Sequence, residues 1–189
     1  MAPDDRELLR RCRSGDTKAW EILVRRSSSM VYRIACRMLR DDTAAEDATQ
    51  EVFLRMLRSI ETYDPTRAFE PWACRITYNV CLRRLERGSR HELGANASTD
   101  LAVAEVGGVA ASPEVHASHR ETLAILEQGF STLSGQDRGL LTLRYREGLT
   151  DAEVAQACQL PLNTVKTRIS RARARLAQHV RRSLGGDDS

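Results

Sequence analysis

Hydrophobic residues recur every three or four positions along most of the chain, which is the pattern of amphipathic helices. A long helix is predicted to begin after Asp16, because aspartate is a good N-cap residue and an apolar face follows it. The inward positions of that helix are Trp20, Leu23, Val31, Ile34, Ala35 and Met38. Nothing alternates with period two for long enough to predict a sheet, so we expect an all-α fold.

Two further helices are predicted before residue 88. Thr43 and Glu46 have the spacing of a capping box, which would open the first of them. Its inward residues would be Ala48, Val52, Met56 and Leu57. Pro71 suits the first turn of the second helix, which is expected to run to about Arg87. The inward residues of that helix would be Trp72, Ile76 and Val80.

Residues 88–111 interrupt the helical pattern. They contain four glycines, no aromatic residue and no sustained helical period, which is typical of a flexible linker. The sequence therefore predicts two small helical domains, at 1–87 and 112–183, and a disordered tail at 184–189.

The second domain is predicted to hold a helix-turn-helix. A helix starts at Ser112-Pro113-Glu114, and another follows Ser134 and stops near Gly148. Thr150 and Glu153 then form a capping box that opens a short helix, and the turn 159–161 follows it. A longer helix begins near Asn163, and the order of short helix, turn and long helix is that of a helix-turn-helix.

The longer helix has a face suited to duplex DNA. Its apolar stripe is Val165, Ile169, Ala172 and Leu176. On the opposite side lie residues small enough to approach base edges in a major groove: Asn163, Thr167, Ser170 and Ala174. Basic residues flank them, and residues 154–186 hold seven Lys or Arg and no Asp or Glu. A one-signed surface attracts a polyanion, so we predict DNA binding, with a solvated basic face as the alternative.

Composition limits the other classes of protein. With 41% hydrophobic and 29% charged residues and no apolar run near the roughly 18 residues that span a bilayer, no membrane insertion is expected. The N-terminus lacks the basic start and apolar core of a secretory signal, so we expect a cytoplasmic chain. The five cysteines include no C-x-x-C pair, which predicts reduced, partly buried thiols.

Two stretches of the first domain have unusual charge. Residues 41–54 carry five carboxylates and no basic residue, which suits a basic partner surface, a solvated acidic face, or Mg²⁺ for nuclease chemistry. Residues 67–90 carry six arginines interleaved with Phe69, Trp72 and Tyr78. Arginines can track phosphates while aromatic rings hold unstacked bases, so this segment suits single-stranded DNA. Packing in the core is the competing interpretation for Trp72 and Ile76.

Several motifs occur in a characteristic order: AEDATQEVFLR at 45–55, FEPWACRITYN at 69–79, Leu133-Ser134 through Arg144-Tyr145, TVKTR at 164–168 and RAR at 171–173. In this combination the chain resembles bacterial RNA polymerase sigma factors of the sigma-70 family. It looks like the compact extracytoplasmic-function (ECF) group, which keeps only regions 2 and 4. The resemblance covers nearly everything except the linker and the two tails.

The resemblance implies a non-enzymatic transcription initiation factor that binds core RNA polymerase and recognises promoter −35 and −10 elements. Polymerase binding, at the clamp helices of the largest subunit, would fall to Asp47, Gln50, Glu51, Phe53 and Leu54. Binding of the −10 element would fall to Arg67, Phe69, Arg75, Asn79, Arg83 and Arg84, with the loop 59–69 holding a flipped base. Binding of the −35 element would fall to Asn163, Thr164, Lys166, Thr167, Arg168, Ser170, Arg171, Arg173 and Arg175.

The expected partners are core polymerase, including the flap of its second subunit, promoter DNA and an anti-sigma factor, with no cofactor and no metal. Three residues depart from the family pattern. Arg83 stands where Asp or Asn is usual, and Gln159 and Asn163 stand where glycine is usual. Gln159 would cost about 1 kcal/mol if its backbone is left-handed, unless the turn differs. Asn163 can pair with adenine and so shift the −35 preference.

Other functions remain open at this point. A stand-alone helix-turn-helix regulator would explain residues 150–182 equally well, but it leaves the acidic and the arginine-aromatic stretches unexplained. A nuclease would need further metal ligands near residues 41–54, and none is evident. His116 and His119 form an H-x-x-H pattern, and without a nearby cysteine they are expected to be surface histidines rather than zinc ligands.

Overall fold

The computed structural model describes residues 3–64, 67–91 and 113–184, and within these ranges it is helical, with no β-strand. The prediction of an all-α fold is confirmed. The helices are α1 (Pro3–Arg13), α2 (Thr17–Leu39), α3 (Asp42–Ser59), α4 (Phe69–His91), α5 (Pro113–Ser131), α6 (Gly135–Leu141), α7 (Asp151–Cys158) and α8 (Leu162–Leu184). None of these described helices is long and apolar enough to cross a bilayer.

Helix α2 organises the first half of the chain, since it packs against α1, α3 and α4. The side chain of Asp16 caps it by accepting hydrogen bonds from the amides of Lys18 and Ala19, as predicted. The predicted inward residues are buried except Trp20, which is half-buried and donates its indole N–H to the carbonyl of Cys12 at 3.1 Å. Helix α1, which precedes Asp16, was not among the predicted helices.

Helix α3 begins earlier than predicted. The carboxylate of Asp41 accepts a hydrogen bond from the amide of Ala44 at 2.7 Å and caps the helix. The predicted capping box at Thr43 is therefore wrong, because Thr43 already lies inside the first turn. Leu57 was also predicted to point inward, but it is 50% exposed, one position beyond the buried Met56.

Helix α4 ends four residues later than predicted, at His91, so the first positions of the expected linker are helical. The remaining linker residues, 92–111, lie outside the described residues. So do the side chains of His116 and His119, at the start of α5. The predicted disordered tail likewise falls outside, except Leu184, which ends α8.

The helix-turn-helix has the predicted local structure. The hydroxyl of Thr150 accepts the amide of Glu153 at 3.2 Å, and the Glu153 carboxylate accepts the amide of Thr150 at 2.7 Å, which confirms the capping box. Before it, a π turn at Thr142–Arg146 links α6 to a left-handed Gly148. After α7, Gln159 adopts φ +55° and ψ +40° and closes the helix.

The two predicted domains pack directly on each other. Buried residues of α2 and α4 form one continuous hydrophobic core with those of α6 and α7. At the centre of this contact, the Arg138 guanidinium donates to the carbonyl oxygens of Arg37 and Met38, both at 2.7 Å, and of Leu133 at 2.6 Å. Burial, aided by the charge of Arg40, lowers the pKa of Arg138 to about 10.

The cysteines are all free thiols, as expected, and only Cys36 is more than slightly exposed. Burial raises the pKa of both Cys81 and Cys158 to about 12. Because the thiolate is the reactive form, these thiols are poorly placed for redox chemistry at neutral pH.

The left-handed turn generates a stability prediction. A side chain at positive φ costs about 1 kcal/mol relative to glycine, and Gln159 is exposed and cannot recover this cost by packing. We expect Gln159→Gly to raise the free energy of unfolding by about 1 kcal/mol in urea denaturation followed by circular dichroism.

The matched control is Gly148→Ala, because Gly148 has φ +74° and a Cβ there would meet no atom within 4 Å. This change should lower the stability by about 1 kcal/mol through backbone strain alone. If neither substitution moved the midpoint, the two turns would not be left-handed in solution.

Candidate nucleic-acid interface

Helix α8 separates a buried face from a polar exposed one. Val165, Ile169 and Ala172 are buried against the preceding helices, and Leu176 is half-buried. The side chains predicted to face the bases, Asn163, Thr167, Ser170 and Ala174, are all exposed. A helix of this kind can enter a major groove, where its small residues face the base edges and its basic residues face the flanking phosphates.

The basic residues of α8 do not all have the same surroundings. Lys166, Arg171, Arg173 and Arg175 are exposed, and Thr164 is half-buried. Arg168 instead turns toward α6, where its guanidinium binds Asp137 at 2.7 Å and the side chain of Gln136 at 2.8 Å. Its side chain is 26% exposed, so an internal ion pair holds a residue that was predicted to contact DNA.

An exposed tyrosine was missing from the predicted set. The ring of Tyr145 is 55% exposed and lies between two guanidinium groups, those of Arg144 at 5.5 Å and Arg173 at 5.7 Å from its centroid. These are cation–π distances, and they fix Arg173 beside the π turn. The dipeptide Arg144-Tyr145 was a sequence signal, but the pairing with Arg173 depends on the fold.

A cavity of about 810 Å³ opens at the N-terminal half of α4. The predicted −10 residues Arg67, Arg75 and Asn79 all line it, together with Trp72 and Ile76. Across the opening the cavity is lined by α7, through Glu153, Gln156 and Ala157. The structure therefore brings three predicted nucleic-acid residues together around one concave site, whose lining also holds Asp64, paired with Arg67 at 3.4 Å.

Aromatic packing forms the floor of this cavity. Trp72 contacts Tyr63 and Phe69, with ring centroids 5.0 and 5.8 Å apart, and the hydroxyl of Tyr63 donates to the carbonyl of Arg67 at 2.6 Å. Phe69 is only 9% exposed, so its ring belongs to the core rather than to the open surface. Trp72 serves both interpretations, because one side packs in the core and the other lines the cavity.

The last two predicted −10 residues lie farther along α4. Arg83 is exposed. Arg84 is 29% exposed and binds the Glu51 carboxylate of α3 at 3.0 Å, with Asp47 at 3.9 Å. Arg84 thus joins the predicted DNA helix to the predicted polymerase helix and is not a free cation.

Helix α3 presents a mixed acidic and apolar stripe. Asp47, Gln50 and Leu54 are exposed, and their spacing of three and four places them on one face with Leu57. Phe53 is half-buried beside them. The stripe therefore offers both apolar and charged groups at the surface of α3.

Glu51 lies at the edge of this stripe and is held from two sides. Arg84 and Arg55 both bind its carboxylate, the latter at 2.5 Å. Burial would raise the pKa of Glu51, but the hydrogen bonds and charges of Arg84 and Arg55 outweigh it and lower the pKa below the ordinary value. Two guanidinium groups thus already bind the carboxylate that the nuclease interpretation would use as a metal ligand.

Two models of the sigma-70 family match consecutive segments of the chain. Sigma-70 region 2 matches residues 23–91, and sigma-70 region 4 matches residues 123–176. The RNA polymerase sigma-H factor of Pseudomonas aeruginosa is 30% identical over 173 residues, covering 89% of this chain and 90% of that protein. The ECF RNA polymerase sigma factor SigW of Bacillus subtilis is 27% identical over 177 residues, covering 92% and 95%.

A solved structure of CnrH in complex with the cytosolic domain of CnrY is similar across the whole chain. It covers 97% of this chain and 99% of the CnrH chain, with a TM-score of 0.62 and 25% sequence identity. The similarity therefore extends from the sequence motifs to the arrangement of the helices.

The ion pairs of Glu51 predict a pH-dependent stability. Because its folded-state pKa is lowered, the charged form stabilises the fold above the unfolded-state pKa, near 4.5, and this contribution is lost as the pH falls through the lower folded-state value. We expect Glu51→Gln to cost about 1 kcal/mol of unfolding free energy at pH 7 in urea denaturation.

The difference in unfolding free energy between the wild-type chain and Glu51→Gln should shrink as the pH is lowered below about 4.5. Asp47→Asn is the matched control, because Asp47 is 62% exposed and makes only a long contact of 3.9 Å with the same arginine. A gap for Glu51→Gln that stays constant down to pH 3 would contradict the ion-pair explanation.

Proposed function

The chain belongs to the ECF group of the sigma-70 family of RNA polymerase sigma factors, and from this premise we propose how its surfaces share the work of promoter recognition. A sigma factor directs promoter-specific transcription initiation by recognising −35 and −10 elements with RNA polymerase. We propose that this chain does so without chemistry of its own, in the cytoplasm, where polymerase and chromosome are found.

We assign the −35 element to the exposed face of α8. Asn163, Thr167 and Ser170 would face the bases, and Thr164 would lie at the edge of the groove. Lys166, Arg171, Arg173 and Arg175 would bind phosphates on its two sides. Arg168 would act indirectly, because its ion pair with Asp137 fixes α8 on α6. The observation that carries the whole proposal is this exposed face of α8, in the same chain as the cavity of α4 that Trp72, Arg75 and Asn79 line.

We assign the −10 element to the cavity of α4. An unstacked base would enter between Trp72, Arg75 and Asn79, and the guanidinium groups of Arg67 and Arg83 would follow the phosphates of the single strand. Asn79 carries both a donor and an acceptor on its amide, so it can discriminate between base edges. Arg84 would support the site through Glu51 rather than touch DNA.

We assign polymerase binding to the stripe of α3. Asp47 and Gln50 would meet polar groups of the clamp helices, and Leu54 with Phe53 would supply buried apolar contact. Glu51 would orient this edge through Arg84. The helix-turn-helix region would contact the flap of the second subunit while α8 lies on DNA.

We also propose that a second protein controls the chain. The similar CnrH structure is a complex with the cytosolic domain of CnrY. An anti-sigma factor of comparable role would compete with polymerase for the exposed residues of α3, and its addition should abolish transcription in proportion to its occupancy.

Transcription with purified components tests the proposed function directly. Core polymerase with the purified chain should yield specific run-off transcripts from a subset of the genome's promoters, and Asp47→Ala with Leu54→Ala should reduce core binding at least tenfold. Failure to bind core polymerase, or to start at any promoter, would falsify the proposal. Tight, specific binding of an operator without polymerase would favour a stand-alone regulator.

Residues of α8 should separate base reading from phosphate binding. With holoenzyme, Asn163→Ala is expected to change the preference at particular −35 bases, at about 1–3 kcal/mol for the affected base. Arg173→Ala should weaken all −35 sequences alike and flatten the salt dependence by about one phosphate contact.

Binding to a library of −35 duplexes at several salt concentrations measures both effects. Arg182→Ala is a charge-matched control, because Arg182 lies exposed at the far end of α8. Identical behaviour of the Asn163 and Arg173 variants would show that the assigned faces are wrong.

A further inference from the structure

The exposed ring of Tyr145 belongs to none of the three assigned surfaces. Tyr145 is 55% exposed, although an aromatic ring normally gains from burial. It lies in the π turn of Thr142–Arg146, which follows α6. Turns of this kind are uncommon and often occur at functional sites. The contacts of the ring therefore indicate what the turn achieves.

Arg144 contacts the ring from a fixed position. Its guanidinium carbon lies 5.5 Å from the ring centroid. The same guanidinium donates to the carboxylate of Asp151 at 2.8 Å and to the carbonyl oxygen of Leu149 at 3.2 Å. Asp151 is the first residue of α7, so Arg144 ties the π turn to the first helix of the helix-turn-helix. Arg144 thus serves as an anchor for the ring rather than as a free cation.

Arg173 contacts the same ring from the recognition helix α8. Its guanidinium carbon lies 5.7 Å from the ring centroid, and the residue is exposed. Within the described parts of the chain, no carboxylate forms an ion pair with Arg173, so the aromatic ring is what restrains this side chain. Tyr145 therefore links an anchored arginine of the π turn to an arginine of α8 that keeps its full charge.

Two cations can share one ring here because one of them is neutralised. Guanidinium groups on the same ring lie close enough to repel each other. The carboxylate of Asp151, 2.8 Å from Arg144, offsets the charge of that arginine. Arg173 therefore meets less repulsion than two unpaired cations would experience, and its attraction to the ring is retained.

An aromatic contact suits an arginine that has to bind a phosphate. The guanidinium group is planar, and its five N–H donors point outward from its edges. A carboxylate partner consumes such donors, as Asp137 does at Arg168. The Tyr145 ring instead restrains the group and leaves most of these donors free. Arg168 is thus fixed for packing, whereas Arg173 is fixed in a state that can still bind an anion.

We propose that Tyr145 is a positioning residue for −35 recognition, which holds the Arg173 guanidinium in the orientation that binds a backbone phosphate. This inference rests on the proposed function, because it takes Arg173 as a phosphate ligand. An unrestrained arginine loses rotational freedom when it binds, and this loss weakens the complex. The ring imposes part of that restriction before DNA is bound, so the holoenzyme holds the −35 duplex more tightly.

Removal of the ring tests the inference. Tyr145→Leu keeps an apolar side chain but removes the π system that attracts Arg173. We expect the affinity of the holoenzyme for a −35 duplex, measured by fluorescence anisotropy, to fall about two- to fivefold, which corresponds to a cation–π contact at an exposed site. Tyr145→Phe retains the ring and should retain the wild-type affinity, because the hydroxyl has no part in the contact.

A double-mutant cycle separates positioning from a general effect on the fold. If Tyr145 acts through Arg173, Tyr145→Leu should have no further effect in a chain that already carries Arg173→Ala. Arg175→Ala is the matched control, because Arg175 is an exposed arginine of the same helix and makes no ring contact among the described residues. In that background, Tyr145→Leu should still weaken binding by its full two- to fivefold.

The outcomes distinguish this inference from the proposed function. Equal losses for Tyr145→Leu with and without Arg173→Ala would overturn the inference, because the ring would then act independently of Arg173. Unchanged affinity in Tyr145→Leu would overturn it as well. So would an equal loss in Tyr145→Phe, since the hydroxyl would then be the group that matters. If Arg173→Ala alone binds every −35 duplex as the wild type does, it is the phosphate assignment of the proposed function that fails.

Discussion

The structure depends on one buried cation with no carboxylate beside it in the contacts described: the Arg138 guanidinium is satisfied by backbone carbonyls alone. Two of these, at Arg37 and Met38, are the unpaired carbonyls at the end of α2. Every helix ends with such acceptors and with a partial negative charge, and here another region of the chain supplies the matching donor. The seating of α6, the position of α7 and the covering of the cavity all follow from this cap.

Local features of the fold were accessible from the sequence because their causes lie within a few residues. The cap at Asp16 and the box at Thr150 and Glu153 each need only one side chain and an amide two or three positions away. The left-handed state of Gln159 was one of two alternatives that the sequence left open. Where local signals competed, as at Asp41 and Thr43, the earlier cap prevailed and the prediction was wrong.

Long-range pairings were not accessible in the same way. Arg168, Arg84 and Phe69 all belong to segments with a composition suited to nucleic acid, yet each has a structural partner: Asp137, Glu51 and Trp72. The partners of Arg168 and Arg84 lie about thirty positions away, and nothing in a periodicity identifies them. The direct packing of the two regions was likewise not predicted. In the sequence, the glycines at 135 and 139 indicate only a low helix propensity, whereas in the structure they allow close packing of α6 on its neighbours.

The bridge from Arg84 through Glu51 to α3 has a consequence for how such a chain can change over generations. A carboxylate on the polymerase-facing helix and an arginine on the DNA-facing helix neutralise each other across 3.0 Å. Replacing Glu51 would leave Arg84 only the longer contact with Asp47 at 3.9 Å, and replacing Arg84 would leave Glu51 with Arg55 alone. Positions 51 and 84 should therefore vary together among descendants. A change of α4 at residue 84 would then be limited by what the polymerase-binding helix α3 tolerates at residue 51.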